Sequence, residues 1–181
     1  MGGTPPDLAS AIVAKRPSKS STIAIADDDS VVLMSNPDDG SVSTFSAQSG
    51  DRIAKVPTGR EPWAVVIHPD RATAFVANRA DGTVVKLGAI GGAAPTVSAP
   101  VSVGSEPTGL ALSPTGAKLF VAEWAEGRVS VIDTATMRVV GTIDGVRSPR
   151  AIAVTNNGDG SDGDELVVVP EFYGEPTTGG E

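Results

Sequence analysis

The sequence predicts an all-β protein assembled from repeated four-stranded antiparallel units, and three observations predict it. One word order returns every 42 to 45 residues. Inside each copy the apolar residues come in short runs rich in Val, Ile, Thr and Phe with a period of two, which suits strands. The runs are separated by Pro, Gly, Asp and Asn, and 21 Gly with 14 Pro in 181 residues call for many turns. No stretch holds a 3.6-residue apolar period, and the one helical candidate, Pro5 to Lys15, is short.

The repeat is read from three anchors. Gly40, Gly82 and Gly127 lie 42 and 45 residues apart, and Asn36, Asn78 and Glu123 keep the same two spacings. Glu61-Pro62, Glu106-Pro107 and Ser148-Pro149 precede successive units at spacings of 45 and 42. In the third unit strands are expected at about 109–112, 118–122, 128–133 and 138–143, with turns at Pro114-Thr-Gly116 and Ala125-Glu-Gly127. A four-stranded unit of this length is a β-propeller blade, whose two apolar faces are buried only by stacking on neighbours.

Blades are thus expected at 22–57, 63–104 and 108–144, with a partial fourth at 149–181 and the strand after each Pro anchor innermost. Three blades and half of a fourth do not close a ring of the usual four to eight, so the chain reads as a fragment of a longer protein with apolar open ends. Residues 1–21 form an N-terminal segment in which Leu8-Ala-Ser-Ala-Ile-Val13 is the candidate for an extra edge strand.

Composition narrows the function classes. A net charge of −8, with no basic run, argues against nucleic acid as a partner. The absence of Cys removes disulfides, thiolate nucleophiles and Cys-ligated metals. The apolar run Leu8 to Ala14 precedes Lys15 and Arg16, the wrong order for a signal peptide, and no segment is long enough to span a bilayer.

Ala64-Val-Val-Ile-His-Pro-Asp followed by Ala74-Phe-Val-Ala-Asn78, and Leu110-Ala-Leu-Ser-Pro-Thr-Gly followed by Leu119-Phe-Val-Ala-Glu123, resemble the YVTN-type β-propeller repeat. Ser130-Val-Ile-Asp133 and Gly59-Arg-Glu-Pro62 resemble its remaining parts, and the likeness runs from about Thr22 to Phe172. Glu123 and Glu171 stand where the family has Asn, and the tail from Gly88 to Pro100 departs from it. The resemblance implies a seven-bladed bacterial or archaeal protein that is extracellular, periplasmic or at the cell surface. It implies no single activity, since the repeat occurs in surface-layer proteins, lactonase-like enzymes and domains of periplasmic redox enzymes.

Strand alternation places Glu61, Glu106, Asn36, Asn78, Glu123 and Glu171 on one rim, with Trp63 and Trp124 beside them. Carboxylates there could hold a cation or polarise a ligand, and indoles could contact one. The plainer use of such residues is to cap strands and turns and to fill space between blades. A second candidate is the hairpin from Asn156, where Asp159, Asp162, Asp164 and Glu165 lie among glycines, a composition that suits Ca²⁺ or a solvated extension. His68, the single histidine, has neither a G-x-S-x-G nucleophile nor another triad partner and reads as a turn residue.

Two functions fit. The first is a noncatalytic binding or cell-surface scaffold that takes a protein or small-molecule ligand on the propeller face. The alternative is a lactonase or hydrolase whose rim carboxylates hold a metal.

Overall fold

The computed structural model describes Ala14 and residues 16–173. A short strand, β1 (Ser18–Lys19), precedes the first blade, which consists of β2 (Ile23–Ile25), β3 (Val31–Asn36), β4 (Ser41–Ser46) and β5 (Arg52–Pro57). The second blade follows as β6 (Pro62–Ile67), β7 (Thr73–Asn78), β8 (Thr83–Gly88) and two short outer pieces, β9 (Thr96–Val97) and β10 (Val101–Ser102). The third has β11 (Pro107–Leu112), β12 (Lys118–Glu123), β13 (Arg128–Asp133) and β14 (Arg138–Asp144), and the partial fourth has β15 (Ala153–Val154) and β16 (Val167–Val168). Each blade is an antiparallel meander.

Period-two alternation determines which face meets which neighbour. In the second blade Ala64, Val66, Phe75, Ala77 and Val84 face the third, packing on Leu110, Leu112, Leu119, Val121 and Ile132. The intervening residues Val65, Ala74, Val76, Val85 and Leu87 face the first blade, against Val31, Leu33 and Val42. Both faces are therefore buried, which is why these strands are nearly continuous apolar runs. Between the third blade and the fourth, Ala111, Ala122 and Val129 meet Ile152 and Val154.

The two ends of the arc are uncovered and apolar, as expected. Ile23 and Ile25 are 50% and 59% exposed on the first blade, and Leu166 and Val168 are 66% and 53% exposed on the last. Where the sequence expectation and the structure differ, proline is the cause. The outer strand of the second blade is split because Pro100 offers no N–H to β8, while Ile90 folds back and is fully buried against the first blade. In the partial fourth blade the second strand is only Val167–Val168, followed by Pro170 and a lone bridge between Glu171 and Pro149.

β6, β11 and β15 are the innermost strands of the second, third and fourth blades, and a strap of chain from Arg16 to Thr22 runs along their open edges. Ser21 accepts from Val65 N–H through its carbonyl at 2.9 Å. Ser20 Oγ and Ser18 Oγ accept from Leu110 N–H and Leu112 N–H, each at 2.7 Å, and β1 pairs with β15. The edge strand is thus contributed by Ser18–Lys19, whereas the candidate at Leu8 to Val13 lies outside the described residues.

Candidate functional site

The Pro anchor makes a bulge, and the bulge makes the site. In β6 the register shifts between Pro62 and Ala64, and in β11 between Pro107 and Gly109, so Trp63 and Thr108 are the extra residues pushed out of the ladder. The residue before each Pro has left-handed backbone, with φ of 55° at Glu61, 54° at Glu106 and 44° at Ser148. That twist aims the carbonyls of Glu61 and Glu106 at the second strand, where they accept from Arg79 N–H at 2.9 Å and Trp124 N–H at 3.0 Å. Arg79, Trp124 and Phe172 each follow the Asn or Glu anchor of their blade. Trp63, Thr108 and Arg150 each follow its Pro.

These two sets of equivalent positions line one cleft. A lobe of about 250 Å³ lies among Trp63, Arg79, Glu106, Thr108, Trp124 and Arg150. A lobe of about 600 Å³ shares Trp63, Thr108 and Arg150 with it and reaches Phe172, with Ser20 to Thr22 of the strap on its wall. Arg79 donates to Glu61 Oε1 at 2.9 Å and to Glu106 Oε1 at 3.0 Å, and its guanidinium lies 5.1 Å from the Trp63 ring centroid. Trp124 meets Phe172 edge-on at 5.2 Å and Tyr173 at 6.0 Å. The Arg150 guanidinium stacks over Phe172 at 5.3 Å. Arg79 is matched by two carboxylates, whereas Arg150 makes no ion pair among the described residues.

The expected rim residues divide into two groups. Glu61, Glu106, Glu171, Trp63 and Trp124 are brought together in the cleft or beside it. Asn78 and Glu123 are fully buried and belong to the framework. Asn78 Nδ2 donates to the Thr58 carbonyl at 2.9 Å, and Glu123 Oε2 accepts from Arg128 Nε at 2.6 Å. Both sit against a glycine of the G-x-E-P segment, since a Cβ on Gly59 would strike the Asn78 amide and one on Gly104 the Glu123 carboxylate. Asn36 bonds Ser41 and Ser43 within the first blade. In the fourth blade Val146 takes the equivalent glycine's place, and Glu171 stays exposed, accepting from Arg147 N–H at 3.0 Å.

The acidic hairpin is organised by two sets of bonds, one to the third blade and one to Asn157. Asp162 accepts from Thr115 N–H at 3.0 Å and Thr115 Oγ1 at 2.6 Å, tying the hairpin to the third blade. Asp159 and Asp164 share the Asn157 amide, and Glu165 engages Thr155 Oγ1 and Asn157 N–H. Among the described residues no group of three or more His, Asp or Glu side chains could hold a metal ion. His68 lies past the far end of β6, away from the Pro62 end that carries the cleft. Its Nδ1 accepts from Asp70 N–H at 3.2 Å, and its ring packs against Gly116.

Arg79, Thr108, Arg150 and Phe172 are cleft residues absent from the candidates read from the sequence. Their signal was present: at the positions directly after the repeated anchors, Trp, Thr and Arg or Arg, Trp and Phe replace one another from blade to blade.

Comparison with solved structures gives the architecture. Hydrazine synthase of Kuenenia stuttgartiensis superposes with a TM-score of 0.67 at 22% identity, over 87% of this chain and 47% of that one. A Bacteroides fragilis protein assigned as a 6-phosphogluconolactonase matches at a TM-score of 0.63 and 20% identity, over 71% of this chain and 39% of that one. The β-propeller domain of Cps50 (Swd1) from Myceliophteria thermophila matches at 0.62 and 12%, over 83% and 57%. The fold is a partial β-propeller. The chain spans about half the length of these propeller chains or less, and at such identities the likeness is one of fold alone. No protein-family model matches the sequence, and no curated protein does. No helix among the described residues is long and apolar enough to cross a membrane.

Proposed function

We propose that this chain is part of a noncatalytic propeller of the YVTN-repeat kind, an exported or cell-surface scaffold that binds its ligand in the cleft between Trp63 and Arg150. The observation that carries the reading is the division of labour within each repeat. The recurring Gly, Pro and Asn or Glu build a rigid bulge, and the residues directly beside them, which differ between blades, face one cleft. Side chains held on bulged strands lose little freedom when a ligand arrives, which favours binding. The cleft is concave and mixes aromatic walls with a few polar groups, the usual composition of a ligand site. The hydrolase alternative would place water activation on rim carboxylates, but Glu61 and Glu106 are already spent on Arg79.

The test combines melting temperatures across a panel of small metabolites, lactones included, with titration of released acid in the same samples. The reading expects at least one compound to raise the melting temperature of the parent protein and of His68→Gln, but not of Trp124→Ala, with acid release at background. Lactone turnover that disappears in Glu106→Gln would contradict it, as would stabilisation indifferent to Trp124.

A further inference from the structure

We infer that the cleft selects a small organic carboxylate carrying a planar apolar body, with Arg150 reading the carboxylate; this rests on the cleft being the binding face. Charge indicates where the anion goes. Arg79 has donors committed to Glu61 and Glu106, so it is neutralised and serves as a wall. Arg150 lies over Phe172 with its charge unmatched among the described residues, in a protein with 22 acidic against 14 basic residues. A guanidinium offers five donors in a planar fork that fits a carboxylate, and stacking on an aromatic ring holds it flat while leaving those donors at the edge.

Shape and neighbouring charge narrow the class further. The larger lobe, at about 600 Å³, has ample room for a ring-bearing molecule, with Trp63 and Phe172 as its aromatic surfaces, and Trp124 adds one in the smaller lobe. Two further carboxylates face this space. Glu106 is turned to Arg79, and Glu171 to the Arg147 amide. They limit the tolerated ligand charge, since a dianion would meet their repulsion with one matching cation, whereas a monoanion is balanced by Arg150. The Thr108 hydroxyl donates to the Pro149 carbonyl at 3.0 Å and so holds the start of the fourth blade, and with it Arg150, against the third.

Phenylacetate, its neutral amide, acetate and phenyl phosphate titrated calorimetrically into the full chain decide the matter. Phenylacetate is expected to bind at least tenfold tighter than each of the other three. Arg150→Gln is expected to bring phenylacetate and phenylacetamide to equal affinity, and Arg150→Lys to restore part of the difference. Trp124→Ala should weaken both alike. Equal binding of acid and amide by the parent protein, or tighter binding of phenyl phosphate, overturns the carboxylate assignment. If none of the four binds while another compound stabilises the parent but not Trp124→Ala, the ligand class falls and the cleft reading stands. If no compound of any kind depends on Trp124, both fall.

Discussion

Arg128 donates through Nε to Glu123 Oε2 at 2.6 Å, and this bond reaches from a side chain 34% exposed to one with no exposure at all. Glu123 is thus a buried carboxylate whose charge is balanced from the surface, and its Oε1 has no hydrogen-bond partner among the described residues. Removing one member of such a pair leaves an uncompensated buried charge. Arg128→Ala is expected to cost about 3 kcal/mol in urea unfolding. Glu123→Gln in the same background should recover most of that loss, because the amide carries no charge to bury. A loss that persists unchanged in the double variant would show that Arg128 acts through packing.

Gly104 is the seat of that carboxylate. Gly104→Ala is expected to cost roughly 2 kcal/mol, because its Cβ would collide with Glu123 and with the Glu126 side chain. Gly141, on the exposed outer strand β14, has open space where a Cβ would go, and Gly141→Ala should stay within about 0.5 kcal/mol of the parent. Equal effects at the two positions would contradict the packing described for the G-x-E-P segment.

The third blade was legible almost residue by residue: strands expected at 118–122 and 128–133 are found at Lys118–Glu123 and Arg128–Asp133. Gly116 and Gly127 have φ of 80° and 66°, the left-handed backbone that made them reliable punctuation. The second blade's outer strand and the fourth blade were legible only in outline, since Pro100 and Pro170 interrupt ladders that the apolar pattern alone would continue. Identical spacing made the anchors conspicuous, but Asn78 and Glu123 recur because they hold blades together and are buried while doing so. Trp63 and Trp124 could be guessed from their chemistry. Arg79 and Arg150 were harder to see, because an arginine beside a turn reads as surface unless the equivalent positions of the other blades are compared.

The strap supplies the next expectation. Ser18 and Ser20 hydroxyls accept the inner-edge amides of Leu112 and Leu110. Removing both leaves two backbone donors without those partners, at about 1 kcal/mol each. Ser18→Ala with Ser20→Ala should therefore lower stability by about 2 kcal/mol. It should also speed hydrogen exchange at Leu110 and Leu112 more than at Phe120, within the same blade. Uniform acceleration would place the loss elsewhere.

Asp162 gives the pH dependence a sign. Burial raises its carboxyl pKa, but the bonds from the Thr115 hydroxyl and amide, together with the Ser113 hydroxyl and the Lys118 charge, hold it below the ordinary 3.8. A depressed folded-state value means stability that is present above the unfolded pKa and is lost as pH falls through the folded one. Thr115→Val is therefore expected to cost about 1 kcal/mol at pH 7, and the difference from the parent should shrink as pH falls below about 4. A difference that grows on acidification would reverse the assignment. Because Asp162 is held by Thr115 while Asp159, Asp164 and Glu165 are held by Asn157, millimolar calcium is expected to leave the melting curve in place.

The sequence has two tryptophans, Trp63 and Trp124, and both line the cleft. Their indole N–H resonances in a ¹H–¹⁵N spectrum therefore report the site directly. Adding phenylacetate is predicted to move both indole signals along one saturable curve, while the backbone amide of His68, at the other end of β6, stays in place. Movement of the His68 amide with both indole signals unchanged would contradict the assignment of the cleft as the binding face.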